Sequence, residues 1–163
     1  MKQLVVIRGP LGVGKTTVAR EVASVLGGTY LSVDEILHAN GLDVVEGDIP
    51  LENFLRANQI LLSMIADAFS QGWPAIVDGN FYHRAQVEDL LSHISDPCEV
   101  FTLKATLQTC IARDRSRIIR YVEEATAAVF QLVSAFDYGH VINTEHLTVN
   151  ETVDTILASL RQS

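Results

Sequence analysis

Residues 3–17 read QLVVIRGPLGVGKTT: an apolar run, then three glycines, a proline, a lysine and two threonines within nine residues. Leu4–Ile7 is short, apolar and rich in β-branched residues, the composition of a buried strand. After Lys15, the apolar residues Val18, Val22, Val25 and Leu26 keep helical spacing until Gly27 and Gly28 stop the helix. A glycine-rich turn between strand and helix can fold its backbone N–H groups inward, and the helix start adds partial positive charge. Such a turn holds anions. Gly9, Gly14, Lys15 and Thr16 match G-x-x-x-x-G-K-[ST] in that setting. Lys15 then reaches the β- and γ-phosphates of a nucleoside triphosphate, and the Thr16 hydroxyl ligates Mg²⁺. Gly9, Pro10, Leu11, Gly12, Val13, Gly14, Lys15, Thr16 and Thr17 together form the cradle. The loop is expected to be exposed and to contribute little to the core. A glycine turn that binds nothing is the plain alternative, and the flanking strand and helix argue against it.

The rest of the chain repeats this alternation. TYLSV (29–33) reads as a second strand, and HANGLDVVEGDIP (38–50) as a polar loop between helices. Pro50 opens a long helix in which Leu51, Phe54, Leu55, Leu61, Leu62, Ile65 and Phe69 share one side, with Gly72 ending it. PAIVD (74–78) is a third strand, and Val87, Leu90, Leu91 and Ile94 mark the next helix. EVFTL (99–103) is a fourth strand, and a helical pattern then fills roughly 106–136. HVINT (140–144) is a fifth strand, and TVNE (148–151) is a capping box opening the last helix. Strands alternating with helices make an α/β fold with a parallel sheet covered on both faces.

Composition narrows the function. A chain of 163 residues suits one domain, expected over 1–163. No apolar run is long enough for a bilayer, and the N-terminal apolar stretch stops at Arg8 without a signal-peptide pattern, so a cytoplasmic protein is expected. Cys98 and Cys110 fit neither a zinc site nor a disulfide framework. A net charge of −8 without a dense basic tract argues against a nucleic-acid footprint, but not against a single nucleotide.

Phosphate binding leaves the reaction open. Asp34, expected at the C-terminal end of the second strand, lies on the sheet edge where open α/β folds bind ligands. A carboxylate there can accept the proton of a substrate hydroxyl as its oxygen attacks the γ-phosphorus. Capping of the following helix ranks second for Asp34, and the metal-binding acid of a large motor ATPase a distant third. Asp78 ends the third strand and is the candidate second contact to Mg²⁺, through water. A turn aspartate is its plain alternative, and Gly79 after it lets substrate or backbone approach. Arg113, Arg115, Arg117 and Arg120 form the one local excess of positive charge. Arg113, Arg117 and Arg120 lie near one helix face, where guanidinium groups suit phosphoryl oxygens or a nucleotide base. Arg56 and Arg84 are candidates for substrate anionic groups, with surface ion pairing as the equal alternative. The histidines form no ligand-spaced cluster.

The chain resembles the small P-loop phosphotransferases of the adenylate kinase-like fold over nearly its whole length. The likeness rests on GPLGVGKTT, Asp34, Asp78, RDRSR and the late strand GHVINT. It implies a three-layer α/β/α fold with a five-stranded parallel sheet of order 2-3-1-4-5 and a short helical lid near 113–125 carrying Arg113 and Arg117. It also implies ATP and Mg²⁺, and phosphoryl transfer to a small-molecule hydroxyl. Lys15, Asp34, Arg113 and Arg117 are then the catalytic set, and Asp34, Arg56, Gly79 and Arg84 the acceptor contacts. Where shikimate kinases have an aspartate two residues before the base, this chain has Ser32, and Asp78-Gly79-Asn80 replaces their triple glycine, so shikimate is not expected. A nucleoside monophosphate kinase, a polynucleotide 5′-hydroxyl kinase and a nucleotide-binding switch are the alternatives. No N-K-x-D or D-x-x-G motif supports the switch.

Overall fold

The computed structural model of the chain describes residues 2–115 and 123–162. Five strands alternate with helices: β1 (Leu4–Arg8), α1 (Lys15–Leu26), β2 (Thr29–Ser32), α2 (Val33–Ala39), α3 (Leu51–Ser70), β3 (Ala75–Gly79), α4 (Arg84–Ser92), β4 (Cys98–Lys104), α5 (Leu107–Arg115), α6 (Glu123–Ser134), β5 (His140–Asn143) and α7 (Val149–Leu160). The sheet order is β2-β3-β1-β4-β5, and every pairing is parallel. This is the expected order. β1 lies at the centre and is buried along its whole length, so its side chains feed both faces. Leu4 and Val6 join the core under α2, α3 and α4, whereas Val5 and Ile7 join the core under α1, α5 and α7. A continuous apolar run is what a strand covered on both faces requires.

Helix ends follow local chemistry. Thr148 and Glu151 form the capping box of α7, each side chain satisfying a backbone N–H of the other residue. In α3 the buried stripe is Phe54, Ala57, Asn58, Leu61, Ile65, Ala68 and Phe69, while Leu51, Leu55 and Leu62 are half-buried. The expected leucine face is thus rotated, because Asn58 is drawn into the core by hydrogen bonds to the Gln86 carbonyl (2.9 Å) and Asp89 Oδ2 (2.8 Å) on α4.

Arg8 ends β1 fully buried, a role its sequence position does not advertise. Nη1 donates to Thr102 Oγ1 of β4 (3.2 Å) and to the Phe136 carbonyl (2.9 Å). Nη2 donates to the carbonyls of Phe81 (3.2 Å) and Val133 (2.9 Å). The guanidinium also lies 4.1 Å from the centre of the Phe136 ring. Desolvation lowers its pKa to about 10, so it stays charged at neutral pH. The chain after β3, the middle of β4 and the end of α6 are thereby tied to one group. Arg8→Leu should leave several buried acceptors unsatisfied and lower stability by about 3 kcal/mol. The check is a fall in urea midpoint at constant m-value; an unchanged midpoint would show that the guanidinium contributes nothing net.

Candidate active site

The glycine loop joins β1 to α1, and it is more deeply set than its composition implies. Leu11, Val13 and Lys15 are buried, which corrects the expectation of an exposed loop. The reason is α5, whose backbone lies across it. A Cβ at Gly12 would come 2.1 Å from the Cys110 carbonyl oxygen, and Gly12 also has φ +79°. Glycine is required there on both counts. At Gly14 no other atom of the described residues beyond its chain neighbours crowds the Cβ position within 4 Å, and the φ of +99° alone favours glycine. Gly9 is tight against Val13 and the Leu103 carbonyl. Within the loop, the Pro10 carbonyl accepts from Val13 N (3.3 Å) and from Lys15 Nζ (3.4 Å). Thr16 and Thr17 fall in the first turn of α1, with Thr16 half-buried.

Arg113, in the last turn of α5, binds backward onto this loop. Nη1 donates to the Val13 carbonyl and to Thr144 Oγ1, both at 3.2 Å, and Nη2 to the Thr144 carbonyl at 2.8 Å. It therefore clamps the glycine loop to the segment after β5. It also lines a pocket of about 270 Å³ with Gly14, Val18, Leu147 and Thr152, a pocket that Asp34 does not line. Arg117 and Arg120 lie outside the described residues.

Asp34 sits one residue later in the architecture than expected. β2 stops at Ser32, and Asp34 belongs to the first turn of α2. The cap is Ser32, whose Oγ accepts from Glu35 N at 3.3 Å, so capping is not what Asp34 does. Its side chain instead lines a cavity of about 620 Å³ together with Leu11, Asp43, Asp48, Phe54, Asn80 and Tyr82. Asp34 keeps exposed surface, although protein surrounds it at longer range. Desolvation pushes its carboxyl up from the usual range, and the charge of Asp78 adds to this while Lys15 pulls the other way.

Asp78 lies within β3, opposite Ile7 of β1 and Ser32 of β2. It is 2% exposed, and its Oδ2 is buried with no hydrogen-bond partner among the described residues. A buried carboxylate oxygen in that state calls for a cation or a water to complete it. With the Thr16 hydroxyl it supplies the hard oxygen donors that suit Mg²⁺, so these residues fit the ion. Gly79 owes its identity to packing: a Cβ would come 3.0 Å from Val33 and from the Phe81 ring. Arg56 and Arg84 do not line the cavity. Arg56 pairs with Glu52 (2.8 Å), while Arg84 pairs with Glu88 (3.8 Å) and covers the rings of Phe136 and Tyr138.

Several wall residues carry no motif. Asp43 and Asp48 belong to the polar stretch read only as a loop, and Asn80 and Tyr82 to what read as a turn. Phe81 between them is fully buried with φ +47°, a left-handed conformation that costs a bulky residue on the order of 1 kcal/mol or more. The Arg8 hydrogen bond to its carbonyl helps hold it, and the reversal turns Asn80 and Tyr82 toward the cavity. The DGNFY run was the available signal, since a buried aromatic inside a turn is unusual.

The fold is that of the P-loop ATP-binding kinases. A family model described as an AAA domain matches residues 4–136, and the chain belongs to that family. No curated protein matches the sequence. Among solved structures, a sugar kinase from Janibacter sp. HTCC2649 is similar with a TM-score of 0.77 at 18% identity, covering 99% of this chain and 95% of that one. A gluconokinase from Sinorhizobium meliloti 1021 gives 0.73 at 15% identity, over 98% and 92%. A shikimate kinase from Acinetobacter baumannii, in complex with shikimate, gives 0.64 at 21% identity, over 98% and 93%. Among the described residues, no helix is long and apolar enough to cross a membrane.

Because Lys15 is buried, its replacement should keep the aliphatic stem. Lys15→Met is expected to retain the helical content of the wild type while losing most Mg-ATP affinity, measured by calorimetry. Undiminished binding in that variant would remove Lys15 from the phosphate site.

Proposed function

We propose that the protein transfers the γ-phosphoryl group of Mg-ATP to a hydroxyl of a small molecule held beside Asp34. The observation that carries this reading is a carboxylate in the wall of a cavity, influenced by Lys15, with no Lys or Arg among the cavity's described lining residues. A hydroxyl must lose its proton as it attacks, and Asp34 can receive it. A phosphate acceptor needs no base and needs cations instead, which disfavours a nucleoside monophosphate.

In this scheme the hydroxyl oxygen forms a bond to the γ-phosphorus as the bond to the β–γ bridging oxygen breaks. The hydroxyl proton passes to Asp34, and ADP leaves with the pair of electrons from the broken bond. Lys15 and the loop N–H groups hold the phosphates in place and stabilise the charge shifting across them. Thr16 and Asp78 would hold Mg²⁺, which when bound neutralises phosphate oxygens. Arg113 would position the nucleoside side of ATP through its grip on the loop. Arg117 would reach the phosphoryl group from the segment between α5 and α6, a lid role that rests on the family resemblance.

Desolvation makes Asp34 a stronger base than an ordinary aspartate, and it must be ionised to act. The acceptor kcat/KM should therefore fall on acidification at a higher pH than an unperturbed carboxylate would give. Asp34→Asn should lose that inflection and about 10²–10⁴-fold in rate, with Mg-ATP binding kept. Asp78→Asn should raise the Mg²⁺ concentration needed for half-maximal rate. The assay is ATP consumption with and without pooled hydroxyl compounds, followed by these variants with the acceptor found. Full activity of Asp34→Asn toward that acceptor would exclude it as the base, and tight ATP binding without any acceptor-stimulated turnover would favour a switch.

A further inference from the structure

The charge around the acceptor cavity bears on what the acceptor is. Among its described lining residues, Asp34, Asp43 and Asp48 bring three carboxylates and no Lys or Arg opposes them. Four arginines of the neighbouring elements have partners elsewhere among the described residues, and Arg117 and Arg120 lie outside them. Arg20 pairs with Glu35 (3.4 Å), Arg56 with Glu52 and Arg84 with Glu88, and Arg113 holds Val13 and Thr144. Lys15 belongs to the phosphate loop.

With Asp34 serving as base, Asp43 and Asp48 are left with no part in the transfer. Asp43 Oδ2 takes Nδ1 of His38, which also lines the cavity, at 3.0 Å, while its Oδ1 is buried with no hydrogen-bond partner among the described residues. Burial, and after it the charge of Asp48, pushes the Tyr82 phenol up to about 12, which puts Asp48 within electrostatic reach of the cavity's aromatic side. There Phe54 and Tyr82 meet edge to face, their ring centres 5.0 Å apart. An anionic acceptor would be repelled from such a wall. A neutral polyol could donate hydrogen bonds to these carboxylates but would add no positive charge to offset theirs. An ammonium group offers three N–H donors and a positive charge, and aromatic faces attract it as well.

Resting on the kinase reading above, we propose that the acceptor is a small hydroxyl compound bearing a protonated amine, of the amino-sugar or aminocyclitol class, with its ammonium group against Asp43 and Asp48 and a hydroxyl at Asp34. The cavity of about 620 Å³ is in the range that holds molecules of this size.

The test measures ATP consumption by the full chain with Mg-ATP and a panel of matched probes. Glucosamine, glucose and gluconate form one set, and 2-deoxystreptamine and scyllo-inositol another, extended by larger aminoglycosides and their deaminated analogues. The expected result is stimulation by amine members, with kcat/KM about tenfold or more above their neutral partners. Asp43→Asn and Asp48→Asn should each lower that kcat/KM by roughly tenfold. Stimulation by neutral or carboxylate members at equal or higher kcat/KM overturns the inference and leaves the kinase reading standing. So does an amine preference that persists in the Asp43→Asn/Asp48→Asn double variant. If no member of any charge class stimulates ATP consumption, the kinase reading fails and this inference falls with it.

Discussion

A guanidinium withdrawn from water is tolerable only where acceptors replace the solvent it has lost. Arg8 meets that condition with three backbone carbonyls and the Thr102 hydroxyl; its Nε has no partner among the described residues. The consequence reaches well beyond β1. The acceptors come from the turn after β3, from β4 and from the end of α6, all at the edge of the sheet where the glycine loop leaves. Thr102 extends the link, donating to the Tyr138 carbonyl at 2.7 Å and accepting from Tyr138 N at 3.2 Å. Each of these segments would otherwise be an ordinary surface connection. Arg8 ties them to the end of β1, from which the glycine loop leaves.

In the proposed reading the two halves of the site have different physical characters. The nucleotide half is backbone: glycines, helix-start N–H groups and the clamp of Arg113 on Val13 and Thr144. The acceptor half is side chains on short or irregular segments, from the first turn of α2, the α2–α3 loop and the strained Phe81 turn. The division fits their tasks. A triphosphate presents the same oxygens in every use, and backbone donors match them irrespective of side chains. An acceptor varies from one enzyme to the next, and loops can change their residues without moving the sheet.

This division also explains what could be read from the sequence alone. The alternation of strands and helices, the glycine loop, Asp78 and the capping box of Thr148 and Glu151 depend on local spacing, which a sequence displays directly, whereas the sheet order was implied by the family resemblance. Asp34 was identifiable as a candidate site residue, but Ser32 takes the cap and starts the helix earlier than the apolar pattern implied. Arg8 read as the end of an apolar run, because its value depends on acceptors 73 to 128 residues away. Asp43, Asp48, Asn80 and Tyr82 meet only in three dimensions and follow no periodicity. Arg56 and Arg84 had the right charge for anion binding, but each had a glutamate four residues away on its own helix.

The backbone contact between Gly12 and the Cys110 carbonyl has a kinetic meaning. With α5 lying against the glycine loop, Arg113 holding the Val13 carbonyl and the Pro10 carbonyl accepting from Val13 and Lys15, the protein's own contacts hold the loop's shape. No ordering of the loop then stands between encounter and capture. Association should be governed by diffusion and orientation, leaving differences in affinity between nucleotides to appear as differences in how long each one stays.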